Sequence, residues 1–238
     1  MVAPNLIAFG ADPDAVPEDI VFPPGDLYSD EPPLESDFHR DQINLLIQIL
    51  RQFWQHRQDV YISGNLTVYY NAQRLKNRDF RGPDFFVVLG TDPKPRRSWM
   101  IWEEGGKYPN LIVELLSSST ASNDRGPKKI LYQDTFRTPD YFWFDPESLE
   151  FQGFHLVDGL YQALEPNEQG RLWSQQLQLF LGVHSRQLRF FTAAGELIST
   201  PEEAAAAAEL LADEEHQRNE KLAAKLRELG IDPDAVTE

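Results

Sequence analysis

The sequence contains no cysteine among its 238 residues. Disulfide bonds and thiolate metal sites are therefore excluded, and the composition gives no sign of an oxidising compartment. No apolar run approaches the roughly 18 residues that a membrane-spanning helix requires. The first residues also lack the basic segment of a secretion signal. These absences predict a cytoplasmic protein with no membrane partner.

Several catalytic motifs are also missing. The chain has no G-x-x-x-x-G-K-[ST], no G-x-G-x-x-G and no G-x-S-x-G, which argues against nucleotide hydrolysis, dinucleotide binding and serine hydrolase chemistry. The five histidines show no i, i+4 pairing, so we do not expect a zinc site.

Negative charge is abundant, and it is concentrated at the two ends of the chain. The net charge is −16. Residues 1–38 contain nine acidic and no basic residues, and residues 201–238 contain eleven acidic and four basic residues. Residues 39–200 are therefore neutral, with 18 residues of each sign. DNA binding depends on neutralising phosphates, so the central part permits DNA as a partner without indicating it.

Three regions are predicted along the chain. Residues 1–33 are rich in proline and acid and are expected to form an extended arm. Residues 34–195 combine helical and β patterns, which predicts an α/β or α+β domain with a mixed sheet. Residues 201–230 are rich in Ala, Glu, Lys and Leu and predict a helix. That helix is interpreted either as a solvated terminal helix or as a short coiled coil that joins a homodimer.

The central region is predicted to begin with a helix capped by Ser36 or Asp37 that ends near His56. A second helix is expected after the Ser/Thr run at 117–120, with Ile130, Leu131 and Phe136 directed inward. The strand patterns lie at 60–70, 84–90, 98–102, 111–116, 141–145, 149–156 and 160–164, with a mixed segment at 171–192.

One acidic residue does not fit its surroundings. Glu114 stands in the apolar strand LIVELL, and a buried charge is costly unless it is paired or binds a metal. Strand alternation places Glu114 on the face opposite Val113 and Leu115. A cation site would explain it, and so would an ion pair with one of three arginines, namely Arg81, Arg125 or Arg137.

Two other residues favour a cation site when they are considered together with Glu114. Asp84 follows Pro83 at the start of a strand, and Lys128 lies on the helix after Glu114. Two carboxylates on strands can converge on Mg²⁺, which prefers oxygen ligands. A nearby ammonium group can orient water or neutralise charge during phosphoryl transfer. Taken singly, Asp84 fits a turn former and Lys128 fits a solvated helix face.

Three segments, GPDFFVV, YPNLIVELLSSSTASNDRGPKKILYQ and TPDYFWFDP, resemble the Uma-two family of restriction-endonuclease-like proteins, which is common in cyanobacteria. The likeness spans about residues 34–190. It implies the PD-(D/E)XK nuclease superfamily, with a restriction-endonuclease-like core, a mixed β-sheet and flanking helices. The implied activity is a Mg²⁺-dependent DNA endonuclease, with Mn²⁺ as a substitute. The alternative is a catalytically silent binding or scaffold protein, since a fold does not determine a function.

The resemblance also implies roles for individual residues. Asp84 and Glu114 match the two acidic positions and would hold the metal together with the backbone carbonyl of Leu115. Leu116 stands where the parent pattern has its lysine. That lysine is expected on the following helix, as Lys128.

Further site candidates have weaker support. They are Lys129 as a second choice for the lysine, Glu35 as an extra acid, His39 as a phosphate or positioning contact, and Asp124 as a helix cap or a polar contact near the site. Tyr132 and Trp143 are expected to be core aromatics.

Overall fold

The computed structural model describes residues 36–71, 80–117 and 123–229. The predicted arm and Glu35 lie outside the described residues. The helices are α1 (Asp37–Phe53), α2, which consists of the consecutive pieces Asp124–Lys128, Lys129–Leu131 and Tyr132–Phe136, and α3 (Pro201–Glu228). The strands are β1 (Val60–Ser63), β2 (Val68–Tyr69), β3 (Phe80–Arg81), β4 (Phe85–Leu89), β5 (Trp99–Met100), β6 (Leu111–Leu115), β7 (Asp140–Phe144), β8 (Phe151–Val157), β9 (Leu160–Ala163), β10 (Leu172–Ser174), β11 (Leu179–His184) and β12 (Gln187–Phe191).

The main sheet has six strands in the order β1-β4-β6-β7-β8-β9. β6 and β7 are parallel neighbours, and the other neighbouring pairs are antiparallel. A parallel pair needs a crossover connection, and α2 lies in that crossover. Two smaller sheets have the orders β3-β2-β5 and β10-β11-β12. The mixed sheet with helices, including one near the C-terminus, confirms the predicted fold class.

Side chains of the main sheet alternate between two hydrophobic cores. Phe85 and Val87 of β4 face a core shared with α1 and the β10–β12 sheet. Phe86 and Val88 face the opposite core, which includes residues of β2, β5 and α2. Because the central strands are buried on both faces, they appear in the sequence as nearly continuous apolar runs.

Helix α1 supplies one wall of the first core. Its start is fixed by Ser36, whose Oγ accepts a hydrogen bond from the His39 backbone N–H at 3.2 Å. The predicted end near His56 is wrong, because the helix ends at Phe53 and Trp54 has non-helical backbone angles. The buried face of α1 consists of His39, Gln42, Ile43, Leu46, Ile49 and Leu50.

Helix α2 departs from the regular α-helical period. Its first and last pieces are wound as π-helix, with i→i+5 spacing. Phe136 is buried as predicted, but Ile130 is 58% exposed, so its predicted inward position is wrong. Tyr132 and Phe136 are buried, and Ile130, two residues before Tyr132, falls on the opposite side of the helix.

Asp140 joins the main sheet to the β10–β12 sheet. Its side chain is fully buried at the start of β7. One carboxylate oxygen accepts hydrogen bonds from Ser174 Oγ at 2.6 Å and from the Gln176 backbone N–H at 2.9 Å. The other lies 2.7 Å from Nδ1 of His155 on β8. This carboxylate therefore links three segments of the chain.

Helix α3 is anchored at its first turn. Thr200 Oγ1 accepts from the Glu203 backbone N–H at 3.0 Å, and the Glu203 carboxylate accepts from the Thr200 N–H at 2.9 Å. Glu203 also pairs with the buried Arg189 at 2.6 Å. Within the described residues, neither α3 nor any other helix is long and apolar enough to cross a membrane.

Candidate active site

The register of β4 and β6 brings two acidic residues to the same place. Phe85 lies opposite Val113 in this antiparallel pair, so Asp84, one residue earlier, faces Glu114. Opposite residues of an antiparallel pair direct their side chains to the same face of the sheet. Glu114 lies on the face of Ile112 and Leu116, as strand alternation predicts.

The Asp84 carboxylate is held by backbone and by a histidine. Oδ2 accepts a hydrogen bond from the Leu115 backbone N–H at 2.7 Å, and it lies 3.3 Å from Nε2 of His39. Burial alone would raise the pKa of Asp84, but the His39 contact, Lys128 and the Leu115 N–H together lower it. Asp84 is therefore a carboxylate at neutral pH. The Leu115 backbone carbonyl remains a predicted metal ligand.

A glycine allows the end of β1 to approach Asp84. A Cβ atom on Gly64 would collide with the Asp84 carbonyl oxygen and with the side chain of Ile43 on α1. The next residue, Asn65, has a positive φ of 46° and donates its backbone N–H to the Asp84 carbonyl at 3.1 Å. This turn fixes the position of Asp84 beside α1.

The Glu114 carboxylate is fully buried and has a donor on each oxygen. Tyr132 Oη donates to Oε1 at 2.6 Å, and Lys128 Nζ donates to Oε2 at 3.0 Å. Both donors come from α2, one turn apart. Burial raises the pKa of Glu114 well above its usual value; Lys128 opposes this shift, and the charges of Asp84 and Asp124 add to it.

Lys128 lies among three carboxylates. Its Nζ is 2.8 Å from Oδ1 of Asp124, which lies one turn earlier on α2, in addition to the contact with Glu114. Burial alone would lower the pKa of Lys128, but the charges of Glu114, Asp124 and Asp84 outweigh burial and raise it. Lys128 therefore stays protonated, so it can donate hydrogen bonds and offset negative charge but cannot act as a general base.

The site fits a hard divalent cation in its donor chemistry. Asp84 and Glu114 provide carboxylate oxygens from adjacent strands, and Mg²⁺ binds through one or two carboxylates while keeping several waters. Across residues 36–71, 80–117 and 123–229, no three histidine or acidic side chains form a complete ligand group. Asp84, Glu114 and the predicted Leu115 carbonyl would therefore hold such a cation with waters in the remaining positions.

Other predicted residues lie elsewhere or have a different role. Lys129 does not face Glu114, because its Nζ lies 3.5 Å from the centre of the Phe154 ring. The arginine alternative for Glu114 is wrong, since its partners are Lys128 and Tyr132. Arg125, one of the three arginines considered, pairs with Glu150 at 2.7 Å instead.

Sequence reasoning missed one contribution to the site, the hydroxyl of Tyr132. Asp124 is not the helix cap, because Asn123 is at the cap position; it makes the polar contact that was the other role considered for it, as an ion pair with Lys128. Tyr132 is a core aromatic as predicted, but its hydroxyl also contacts Glu114. The sequence spacing indicates this contact, because Asp124, Lys128 and Tyr132 are four residues apart and such residues share one side of a helix.

The mixed sheet and α2 thus bring the carboxylates of Asp84 and Glu114 and the ammonium group of Lys128 to one place. The family model of Uma2, described as "Putative restriction endonuclease", matches residues 16–189. The chain therefore belongs to the Uma2 family, which confirms the resemblance seen in the sequence.

Two cyanobacterial proteins are similar to the chain. An "Uncharacterized protein slr1290" of Synechocystis sp. is 34% identical over 86 residues, which cover 36% of this chain and 42% of that protein. The matched part is thus less than half of the relative's length. A crystal structure of "a putative nuclease belonging to DUF820" from Anabaena variabilis covers 61% of this chain and 76% of its own, with 11% identity and a TM-score of 0.44.

Proposed function

We propose that this protein is a Mg²⁺-dependent DNA endonuclease that hydrolyses phosphodiester bonds at Asp84, Glu114 and Lys128. The observation that supports the proposal most is the β4–β6 register, which sets Asp84 opposite Glu114 with the Lys128 ammonium 3.0 Å from the glutamate. Membership of a family described as "Putative restriction endonuclease" points to the same chemistry.

In this proposal each residue has a defined task. A divalent cation bound there supplies Lewis-acid polarisation of the phosphate and a more acidic water. Asp84 and Glu114 provide the oxygen ligands, and His39 and the Leu115 N–H keep the Asp84 carboxylate in place. Lys128 donates hydrogen bonds toward the charge that develops on the phosphate oxygens.

The test is a cleavage assay on supercoiled and linear DNA with Mg²⁺, with Mn²⁺ and with a chelator. We expect cleavage that depends on the cation and falls at least about a hundredfold in Asp84→Ala, because losing a metal ligand removes several kcal/mol of transition-state stabilisation. Lys128→Met should lose activity in the same way. Lys129→Met is the matched control, because that neighbouring lysine faces Phe154, and its activity should be unchanged.

One observation favours a second candidate, a catalytically silent binding protein. Lys128 already pairs with Glu114 and Asp124, and this ion network could be purely structural. Cation-independent cleavage, or equal cleavage by the wild type and Asp84→Ala, would refute the endonuclease proposal. A wild-type protein that cleaves no DNA under any of these conditions would favour the silent alternative.

A further inference from the structure

Helix α3 leaves the domain with its apolar side chains uncovered. Its first turn is held by the capping box of Thr200 and Glu203 and by the buried Arg189. No residue of α3 is buried, and three of its four leucines are among the most exposed large hydrophobic side chains of the described chain, whereas Leu226 is half-buried. Their exposed fractions are 62% for Leu210, 61% for Leu211 and 51% for Leu222, and Leu229, just after the helix, is 75% exposed.

A single stripe on α3 gathers most of these residues. At about 100° per residue, its members lie within roughly 40° of one line along the helix. We call this set the α3 stripe: Ala204, Ala208, Leu211, Glu215, Arg218, Leu222, Leu226 and Leu229. It spans about 38 Å at 1.5 Å per residue. Leu210 lies outside it, about 120° away.

The α3 stripe is complementary to the same stripe of a second copy that runs in the opposite direction. When two copies run antiparallel about a two-fold axis between residues 216 and 217, Leu211 faces Leu222 of the other copy. Ala204 then faces Leu229, so small side chains meet large ones. Glu215 faces Arg218 and forms an ion pair twice. A parallel arrangement would instead place Glu215 beside Glu215 of the other copy and Arg218 beside Arg218, and like charges repel.

We propose that α3 pairs with α3 of a second copy in an antiparallel homodimer. The charge pattern favours a second copy of α3 as the partner. Eight acidic and four basic residues make α3 negatively charged, which disfavours nucleic acid. The charge is also unevenly distributed, since residues 201–216 hold six acidic and no basic residues, whereas residues 217–228 hold four basic and two acidic residues. Antiparallel pairing sets each acidic half against a half with a net positive charge. This proposal does not depend on nuclease activity.

Sedimentation velocity of the full chain at micromolar concentrations tests the pairing. We expect a dimer for the wild type and a monomer for the double variant Leu211→Asp, Leu222→Asp. Leu210→Asp is the matched control, since Leu210 is equally exposed on the same helix but lies off the α3 stripe. A wild type that stays monomeric at tens of micromolar would overturn the proposal, as would a Leu210→Asp variant that dissociates equally.

Charge exchange tests the register. Either Glu215→Arg or Arg218→Glu turns two ion pairs into two repulsions and should weaken the dimer about tenfold. The variant with both substitutions restores opposite charges and should dimerise like the wild type. Continued weakness in the double variant would contradict the pairing of Glu215 with Arg218.

Cross-linking tests the direction, because the chain has no cysteine of its own. An Ala204→Cys chain mixed with a Leu229→Cys chain should form a disulfide-linked dimer on mild oxidation. Neither variant alone should do so, because the two positions lie at opposite ends of α3. Efficient linking of Ala204→Cys to itself would show a parallel dimer and overturn the proposal.

Discussion

Two fully buried acids on neighbouring strands, Glu114 on β6 and Asp140 on β7, show how differently a fold can accommodate a carboxylate. Asp140 receives a hydroxyl, a backbone N–H and a histidine nitrogen. Glu114 receives a tyrosine hydroxyl and a lysine, and it lies beside two more carboxylates, those of Asp84 and Asp124.

The difference separates a structural acid from a candidate catalytic one. Hydrogen bonds to Asp140 come from two other segments, β8 and the end of β10, and they hold those segments to β7. Around Glu114 the fold gathers like charges, which raises the free energy of the site unless a cation offsets them. A single lysine offsets only part of three carboxylates. Burial alone therefore does not distinguish the two acids, whereas the excess of like charge around Glu114 makes it the candidate functional one.

The largest effect on stability is expected at the structural acid. Asp140→Ala leaves the Ser174 hydroxyl and the Gln176 N–H without their acceptor inside the protein. We expect the free energy of unfolding to fall by about 3–5 kcal/mol, as when one partner of a buried polar group is removed. Urea denaturation measures this loss. A decrease below about 1 kcal/mol would mean that Asp140 does not join the two sheets.

Removing the charge of the candidate catalytic acid, Glu114, should leave the free energy of unfolding nearly unchanged and abolish cation binding. Glu114→Gln removes one of the clustered charges, so we expect unfolding free energy to change by only about 1 kcal/mol. The wild type should gain roughly 2–3 kcal/mol from a divalent cation at a hundredfold excess over its Kd, and the variant should gain almost none. Thermal unfolding with and without Mn²⁺ measures this, with Lys129→Met as the control that keeps the gain. Equal gains in Glu114→Gln and the wild type would contradict the metal site.

The smallest effect is expected at a hydroxyl. Tyr132→Phe keeps the ring and removes the donor to Glu114, at a cost of about 1 kcal/mol. DNA cleavage should fall about tenfold, because the Glu114 carboxylate loses one of its two anchors. Tyr161→Phe is the matched control, since its hydroxyl donates to the Thr138 carbonyl at 2.9 Å in the same aromatic cluster. It should cost similar stability and leave cleavage unchanged. An equal loss of cleavage in both variants would assign Tyr132 a packing role only.

The face of Glu114 could be predicted from sequence because strand alternation is a local property. The contact of the Tyr132 hydroxyl with Glu114 could be predicted only in part, because the four-residue spacing places Tyr132 with Asp124 and Lys128 on one side of α2, but which side meets β6 depends on packing. The same packing decides that Lys128 contacts Glu114 while Lys129 contacts Phe154. Ile130 is the wrong inward residue because Tyr132 and Phe136 form the buried side of α2, and Ile130 lies across the helix from Tyr132.

Asp140 also sets a lower limit on the piece of this chain that can fold by itself. A fragment that stops after β9 would retain the Asp140 carboxylate but lose its Ser174 and Gln176 donors. It would also lose Leu172, Leu179 and Leu181, and the part of the first core that they cover would become exposed. The β10–β12 sheet is therefore an integral part of the domain rather than a removable appendage. Expression of fragments, limited proteolysis and domain exchange should all treat the segment from α1 through β12 as one indivisible unit.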